Sequence, residues 1–270
     1  MKKLTMSLWI TGAFICAVVI AGIFAPLIAP HGPYENSILT KFTPMSLTYP
    51  FGTDHLGRCI FSRIIYGIRP TLFFSFLIMV GTMTLGTVLG LMSGYLGGKF
   101  DEVIMRFVDI ILSFPSQIVV LAVVAALGNQ IQNVIIAMIL VKWAWYCRMI
   151  RGSVLKFRQS PFVIYSKMIG MPTLFILRKH ILPNISADLT VLASIDMGWA
   201  ILNISTLSFL GIGVQPPVSE WGAMLNEAKN VFRSNPIQVI FPGLSLMSVI
   251  GAFHYMGDAL RDLWDPKEAL

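Results

Sequence analysis

Long apolar stretches dominate this sequence and limit the folds that are open to it. About 20 consecutive apolar residues can cross a membrane as a helix, because lipid offers no hydrogen-bond partner to an unpaired backbone amide. With 56% hydrophobic and 12% charged residues, the chain carries more apolar side chain than one soluble core could bury. The sequence therefore predicts an all-α membrane protein with six transmembrane helices. They lie approximately at residues 7–29, 70–96, 105–127, 131–150, 185–211 and 236–257.

Basic residues predict the orientation of these helices. Residues 148–183 contain seven Lys or Arg and no Asp or Glu, and such short basic loops mark the cytoplasmic side. With six spans, both termini then lie in the cytoplasm, in agreement with the basic residues Lys2 and Lys3. Residues 30–69 and 212–235 lie outside. Residues 7–29 exceed the apolar part of a signal peptide, so we expect an uncleaved first helix. Three arginines are exceptions to this rule, because they lie in a segment that is predicted to be external: Arg58, Arg63 and Arg69. The rule is weaker for long segments such as this one.

The polar residues indicate a protein without bond-breaking chemistry of its own. Cys16, Cys59 and Cys147 are too scattered for a disulfide framework or a zinc site, and the four histidines form no ligand pair. A phosphate-binding loop is absent, since residues 93–100 lack its first glycine and its closing hydroxyl. The formal charge of +7 is concentrated in loops beside apolar stretches, without an aromatic-rich basic motif. We therefore expect no enzyme activity, bound metal, cofactor or nucleic acid.

Ionisable residues inside the apolar stretches are candidates for a transport pathway. Asp196 in the fifth stretch and His254 in the sixth are costly there unless water or a partner satisfies them. For His254 the alternative is a hydrogen bond within the helix bundle. Asp109 and Asp188 also lie in or beside apolar stretches. Asp196 and His254 keep open a secondary transporter driven by an ion gradient, although no inverted repeat is apparent.

Glycine and proline predict how two of the helices pack. Gly86, Gly90 and Gly94 recur at every fourth residue and share one helical face, where a neighbouring backbone can approach closely. We expect simple packing within the bundle, with a gating role as the alternative. Pro115 removes a helical hydrogen bond and predicts a kink in the third helix.

The basic loop itself contains a second, smaller structural pattern. Residues 162–170 are compatible with a short helix at the membrane surface, which Gly170 and Pro172 end. A second turn is expected at residues 181–183, just before the fifth span, giving a compact helix pair. Such a pair can rest on lipid headgroups or dock a cytoplasmic partner.

This loop resembles the coupling loop of ABC importer permeases, whose pattern is EAA, three residues, G, nine residues, I-x-L-P. Gly170 matches the glycine, and Leu182 with Pro183 match the end, whereas the acid and both alanines are absent. Residues 51–72 and 207–225 are similar to hallmark segments of the permeases for dipeptides, oligopeptides and nickel, with Cys59 where an Asp is usual. Residues 257–266 resemble the ending of those permeases. Residues 142–154 resemble the nickel and metallophore branch of these permeases more than the dipeptide branch.

The resemblance implies a type I ABC importer permease fold, with a membrane anchor and external segment at 1–69 and a transmembrane domain at 70–270. It implies a path through the cell membrane for nickel, a metal chelate or small peptides. The implied partners are a homologous permease, an external binding protein and two ATPases that hydrolyse the ATP. The residues implied to couple to the ATPases are Phe162, Ile164, Tyr165, Ser166, Gly170, Leu182 and Pro183. An external vestibule, or alternatively a plug of the bundle mouth, would contain Pro216, Pro217, Glu220 and Trp221.

Overall fold

The computed structural model describes residues 2–264, with side chains from residue 6 onward. The side chains of Lys2 and Lys3 and the end of the family-like segment 257–266 lie outside the described part. Over the described residues the chain is helical, with one isolated β-bridge between Thr53 and Cys59. A 3₁₀ turn lies at Ile38–Thr40, and a π-helical segment at Leu177–Ile181. The helices are α1 (Lys2–Ile23), α2 (Ala25–Ile28), α3 (Ile60–Leu96), α4 (Gly98–Leu112), α5 (Ser116–Leu127), α6 (Ile131–Arg158), α7 (Pro161–Met168), α8 (Thr173–Ile176), α9 (Leu182–Phe209), α10 (Trp221–Ala228) and α11 (Ile237–Trp264).

Five described helical stretches are long and apolar enough to cross a membrane by themselves: α1, α3, α6, the continuous stretch Thr173–Phe209, and α11. A sixth crossing requires α4 and α5 together, which are bent by 89° at the break between them. The kink predicted at Pro115 is confirmed, since this residue occupies the position before the first residue of α5. A proline there cannot donate the backbone hydrogen bond that would join the two helices.

Helices α4 and α5 lie beside successive parts of α6, from its end back to its start. Asp101 near the start of α4 pairs with Arg151, and Val108 packs with Ala144 and Cys147 one to two turns earlier in α6. At the other end, the side-chain amide nitrogen (Nδ2) of Asn133 donates to the Leu127 carbonyl at 2.7 Å. Counted as one broken span, the pair gives the six spans that the sequence predicts.

Several helix boundaries differ from the prediction, since α6 extends to Arg158 instead of residue 150 and α11 to Trp264 instead of residue 257. Helix α3 begins at Ile60 instead of residue 70 and contains Pro70 in its interior. The turn expected at residues 181–183 is wrong, because the helix is continuous from Thr173 to Phe209. The π-helical segment Leu177–Ile181 ends two residues before Pro183. Its wider turn accommodates this proline, which lacks an amide hydrogen and would crowd the preceding α-helical turn.

The contacts divide the chain into two units, one of Met1–Phe76 with Ser194–Leu270 and the other of Leu77–Ala193. In the second unit, the three-glycine face of α3 packs against α6. A Cβ atom would lie 2.8 Å from the Cys147 carbonyl oxygen if added at Gly90, and 2.8 Å from the Cβ of Val154 if added at Gly94. The close helix packing predicted from this glycine spacing is thus confirmed. In the first unit, α1 and α10 both pack against α11.

Candidate functional site

The short helix α7 ends in a turn that requires glycine. Gly170 has a φ of +76°, a conformation that side chains with a Cβ rarely adopt. Its amide donates to the Lys167 carbonyl at 3.0 Å, and the Met171 amide donates to the Ser166 carbonyl at 3.0 Å. These two bonds form a Schellman motif, which satisfies the last carbonyls of the helix. A Cβ at Gly170 would meet no atom within 4 Å, so the requirement comes from the backbone.

The inner side of α7 is seated on the helices of the second unit. Val163 is fully buried in an apolar cluster that includes Tyr95 of α3, Val154 of α6 and Ile181 of the π-helical segment. The ammonium of Lys167 lies 4.6 Å from the centre of the Tyr95 ring, a cation–π contact. Phe162 lies against His180, with ring centroids 6.0 Å apart. Helix α7 is therefore packed against α3, α6 and the π-helical segment together.

The outer side of α7 and of the following turn is apolar and exposed. Met168 is 81% exposed and Tyr165 is 64% exposed, and the basic residues Arg178 and Lys179 are also exposed. Exposed apolar side chains beside basic ones form a surface suited to a protein partner or to lipid headgroups. We call this surface the α7 knob. Its exposed apolar residues are Phe162, Ile164, Tyr165, Met168, Ile169, Met171 and Leu174.

The residues implied for coupling divide between two places. Phe162, Ile164, Tyr165 and Gly170 belong to the knob, while Ser166 is buried and donates to the Phe162 carbonyl at 2.8 Å. Leu182 and Pro183 lie instead at the start of α9, directly after the π-helical segment. The sequence analysis missed Val163, Tyr95, Lys167 and His180 as parts of the seat of α7. No spacing pattern relates Tyr95 to Lys167, so only the folded chain brings them together.

The residues implied for an external vestibule separate into an exposed and a buried pair. Pro216 and Pro217, joined by a cis peptide bond, are exposed. Glu220 is fully buried: its Oε2 atom accepts from the Ala223 amide at 2.9 Å, and its Oε1 atom accepts from the Ser205 hydroxyl at 2.7 Å. It thus caps the N-terminus of α10.

Trp221, the first residue of α10, is also buried. Its indole Nε1 donates to the Ile64 carbonyl at 3.0 Å and so ties α10 to the start of α3. Glu220 and Trp221 therefore fix the position of α10, and only the prolines of this set present a free surface in this chain. The role of all four residues in a vestibule stays a prediction.

Four charged residues of the first unit, three buried and one partly buried, form a network on the external side of the predicted topology. Asp54 accepts from the guanidinium of Arg58 at 2.6 Å and from that of Arg63 at 2.8 Å. Glu227 of α10 accepts from the same two arginines, at 2.9 and 2.7 Å. The two cations are thereby matched by two carboxylates. This pairing explains why Arg58 and Arg63 can lie in a segment that the positive-inside rule assigns to the exterior.

The pKa of Asp54 reflects the pairing of its carboxylate with these two arginines. Burial alone would raise the pKa of its carboxyl group, but Arg63, Arg58 and the backbone amides of Arg58 and Leu56 hold it below the ordinary value of 3.8. The third exception, Arg69, is satisfied differently. Its Nε donates to the Gly22 carbonyl at 2.6 Å and its Nη2 to the Ile23 carbonyl at 2.8 Å, so that it caps the C-terminus of α1.

Asp196 and His254, the implied pathway residues, lie on α9 and α11. Asp196 is buried. The Nδ1 of His254 lies 3.0 Å from the Ile250 carbonyl, to which it must donate because a carbonyl only accepts. A Cβ added at Gly198 would come within 2.5 Å of that nitrogen, so the ring is packed against α9. The hydrogen bond considered for His254 within the bundle is confirmed, and a pathway role for either residue stays a prediction.

The chain matches one protein family over more than half of its length. The model of the family described as binding-protein-dependent transport system inner membrane components matches residues 86–268, which include α7 and its seat. This chain belongs to that family. It is a permease of the ABC importer type, with the all-α membrane fold that the sequence predicts. Among residues 2–264 no group of three His, Cys, Asp or Glu side chains is placed to hold a metal ion.

Individual permeases of known systems are similar along most of the chain. The metal-staphylopine import system permease protein CntC of Staphylococcus aureus is 42% identical over 249 residues, covering 92% of this chain and 86% of CntC. The dipeptide transport system permease protein DppC of Alkalihalophilus pseudofirmus is 40% identical over 253 residues, or 94% of this chain and 83% of DppC. The nickel transport system permease protein NikC of Escherichia coli K12 is 38% identical over 237 residues, or 88% and 86% of the two chains.

Proposed function

We propose that this permease is one of two membrane subunits of an ATP-driven importer that carries a metal chelate, nickel or a small peptide into the cell. A homologous permease would complete the membrane part, two cytoplasmic ATPases would bind and hydrolyse ATP, and an external binding protein would deliver the cargo. The α7 knob is the observation that supports this proposal most directly. It is an exposed apolar surface on a helix whose inner side is fixed to the rest of the second unit.

Movement of the ATPases would reach the membrane spans through the α7 knob. Closure of the ATPases upon ATP binding pushes α7, and because Val163 is buried against α3, α6 and the π-helical segment, these elements move with it. A π-helical turn is wider than an α-helical one and frequently lies at functional positions, so Leu177–Ile181 would absorb part of the change. Coupling of this kind requires two arrangements of the spans that the ATPases and the cargo both bias.

The cargo is proposed to be a metal chelate or nickel in preference to a peptide. Residues 142–154 resemble that branch of the family, and CntC and NikC, which are named for metal import, are similar along most of the chain. The similarity of the dipeptide permease DppC keeps peptides as the alternative. Uptake of radioactive nickel, with and without a metal-binding chelator, and of labelled dipeptides by the same reconstituted complex would distinguish them. Dipeptide uptake without metal uptake would contradict the preference.

The use of ATP is tested in liposomes that contain both permeases and the ATPases, with the binding protein outside and ATP enclosed. We expect uptake to require enclosed ATP and to persist when ionophores remove all ion gradients. Uptake that needs no ATPase subunits and stops when the gradient is removed would show a secondary transporter instead. A complex with a Walker-lysine substitution in the ATPases is the matched control.

A further inference from the structure

The first turns of α4 are attached to the rest of the second unit by one side chain. Among residues 98–103, with which α4 begins, only Asp101 is not exposed. Apolar packing on α6 begins further along the helix, with Ile104 and Val108. The side chain of Asp101 is 15% exposed. The contacts of this carboxylate therefore determine where the start of α4 lies.

The carboxylate of Asp101 accepts hydrogen bonds from two other helices. The guanidinium of Arg151 in α6 donates from Nε to Oδ1 and from Nη2 to Oδ2, both at 2.6 Å. The hydroxyl of Ser93, a fully buried residue of α3, also donates to Oδ1. A bidentate contact between guanidinium and carboxylate fixes the orientation of both groups as well as their distance. We call these three residues the Asp101 clasp, which joins α3, α4 and α6.

The backbone between α3 and α4 allows these helices to change their angle. Gly97 and Gly98 join them, with φ values of +68° and +60°. A Cβ added at Gly98 would meet no atom within 4 Å. A cleft of about 300 Å³ borders Asp101 and Arg151 on the side of Gly98 and Glu102. Because two glycines and an open cleft leave the start of α4 free to turn, the clasp fixes its position.

The clasp is anchored on the same turns that carry the seat of α7. In α6, Arg151 directly follows Ile150, and in α3, Ser93 lies two residues before Tyr95. Ile150 and Tyr95 both belong to the apolar cluster that buries Val163 of α7. Among the described residues, the buried members of that cluster come from α3, α6 and the segments from α7 to α9, and none comes from α4. A movement of the seat therefore reaches the start of α4 through the clasp.

We propose that Asp101 is a positioning residue for transport, which makes α4 follow α3 and α6 when the ATPases displace α7. This inference rests on the proposed function, since it takes α7 as the point where the ATPases act. Helix α4 leads through Pro115 into α5, so the clasp extends the movement of the seat to the third span. A buried ion pair adds little net stability, but it can select one arrangement of helices over others.

Loss of the clasp would let α4 turn about the two glycines. The ATPases would still displace α7 and hydrolyse ATP, but the third span would no longer follow. The informative quantity is therefore the number of substrate molecules imported per ATP hydrolysed. A residue that only stabilised the fold would change uptake and hydrolysis in proportion, and this ratio would stay constant.

The ratio is measured in liposomes that contain the complete importer, with ATP enclosed and the binding protein outside. The substrate is radioactive nickel with a chelator, or a labelled dipeptide if the wild type imports that instead. Asp101→Ala removes the clasp, and Asp101→Glu retains a carboxylate for Arg151. Asp109→Ala is the matched control, because Asp109 pairs with Arg148 between the same two helices, with side chains that are 59% and 47% exposed.

We expect Asp101→Ala to retain its ATPase subunits and their ATP hydrolysis, while the number of molecules imported per ATP falls about ten-fold. Asp101→Glu should restore most of the wild-type ratio, and Asp109→Ala should leave it unchanged. Arg151→Ala combined with Asp101→Ala should be no worse than Asp101→Ala alone, because both substitutions remove the same contact. A further independent loss in the double variant would contradict the clasp.

An unchanged ratio in Asp101→Ala would overturn the inference, also where uptake and hydrolysis have both fallen. If the alanine variant does not assemble, Asp101→Asn replaces it, since the amide has the size of the carboxylate but lacks its charge. Failure of the asparagine variant to assemble would show a structural role and would likewise overturn the inference. Absence of ATP-dependent uptake by the wild type would instead contradict the proposed function.

Discussion

At the scale of single residues, the buried charges of the first unit hold together parts of the chain that are far apart in sequence. Asp54 precedes α3, and Glu227 lies 173 positions later in α10, yet both bind Arg58 and Arg63. Removing one member of a buried ion pair costs much more free energy of folding than the intact pair contributes, because the other charge is left buried without its partner.

The substitution Asp54→Asn is therefore expected to destabilise the permease. Breaking a buried ion pair costs about 3–5 kcal/mol, and the loss would appear as a lower unfolding midpoint of the importer in detergent, followed by tryptophan fluorescence. Glu35→Gln is the control, because Glu35 is an exposed carboxylate of the same external segment. An equal midpoint for the Asp54 and Glu35 variants would refute the importance of the network.

The pH dependence of this effect follows from the lowered pKa of Asp54. The carboxyl group contributes its full stability above the ordinary value of 3.8, and the contribution is lost as the pH falls through the lower pKa of the folded state. The difference in midpoint between the wild type and Asp54→Asn should thus be constant at neutral and mildly acidic pH. If this difference in unfolding midpoint already declined at pH values well above 3.8, the lowered pKa of Asp54 would be contradicted.

Gly170 is the residue on which the end of α7 depends. Gly170→Val places a β-branched side chain at a φ of +76°, which costs on the order of 1–2 kcal/mol of backbone strain and opens the Schellman turn. We expect the protein to reach the membrane but to lose most ATP-driven uptake. Gly152→Val is the matched control, since Gly152 lies in α6 with open space around it and no positive φ. Normal uptake by the Gly170 variant would count against the coupling role.

At the scale of elements, α7 has a seat and a docking face that can be separated by mutation. Val163→Ala removes two methyl groups from the fully buried seat, a loss on the order of 2 kcal/mol, and should reduce uptake while the ATPases stay bound. Ile164→Ala alters only the exposed face, and should weaken ATPase binding in a pull-down. Identical effects of the two variants on binding and uptake would show that the two faces do not act separately.

The elements also show where sequence patterns mislead. Pro70 and Pro183 indicate helix boundaries by their chemistry, but both lie in continuous helical stretches. In a membrane the surrounding helices and a local π-helical turn compensate for the missing hydrogen bond. At Pro115 nothing restores the helix, and the same residue type produces an 89° break. The difference lies in the neighbouring turns, which no local pattern specifies.

At the scale of the whole molecule, the predicted orientation makes the knob cytoplasmic and residues 30–69 external. Met168→Cys, on the exposed knob, and Leu39→Cys, on the external segment, should therefore react with a membrane-impermeant maleimide from opposite sides. In intact cells only the Leu39 thiol should react, and in inverted vesicles only the Met168 thiol. Labelling of Met168→Cys in intact cells would place α7 outside, where no ATPase could reach it.

The sequence by itself determined the class of the protein, the six spans, the basic loop and the glycine that ends α7. These features are local, because lipid demands about 20 apolar residues for each span and a positive φ demands glycine wherever it occurs. Only the tertiary structure decided that Glu220 and Trp221 are buried supports, that Val163 and Tyr95 form the seat of α7, and that Asp54 shares its arginines with Glu227. Such contacts join residues distant along the chain, and their energy exists only after the helices have packed.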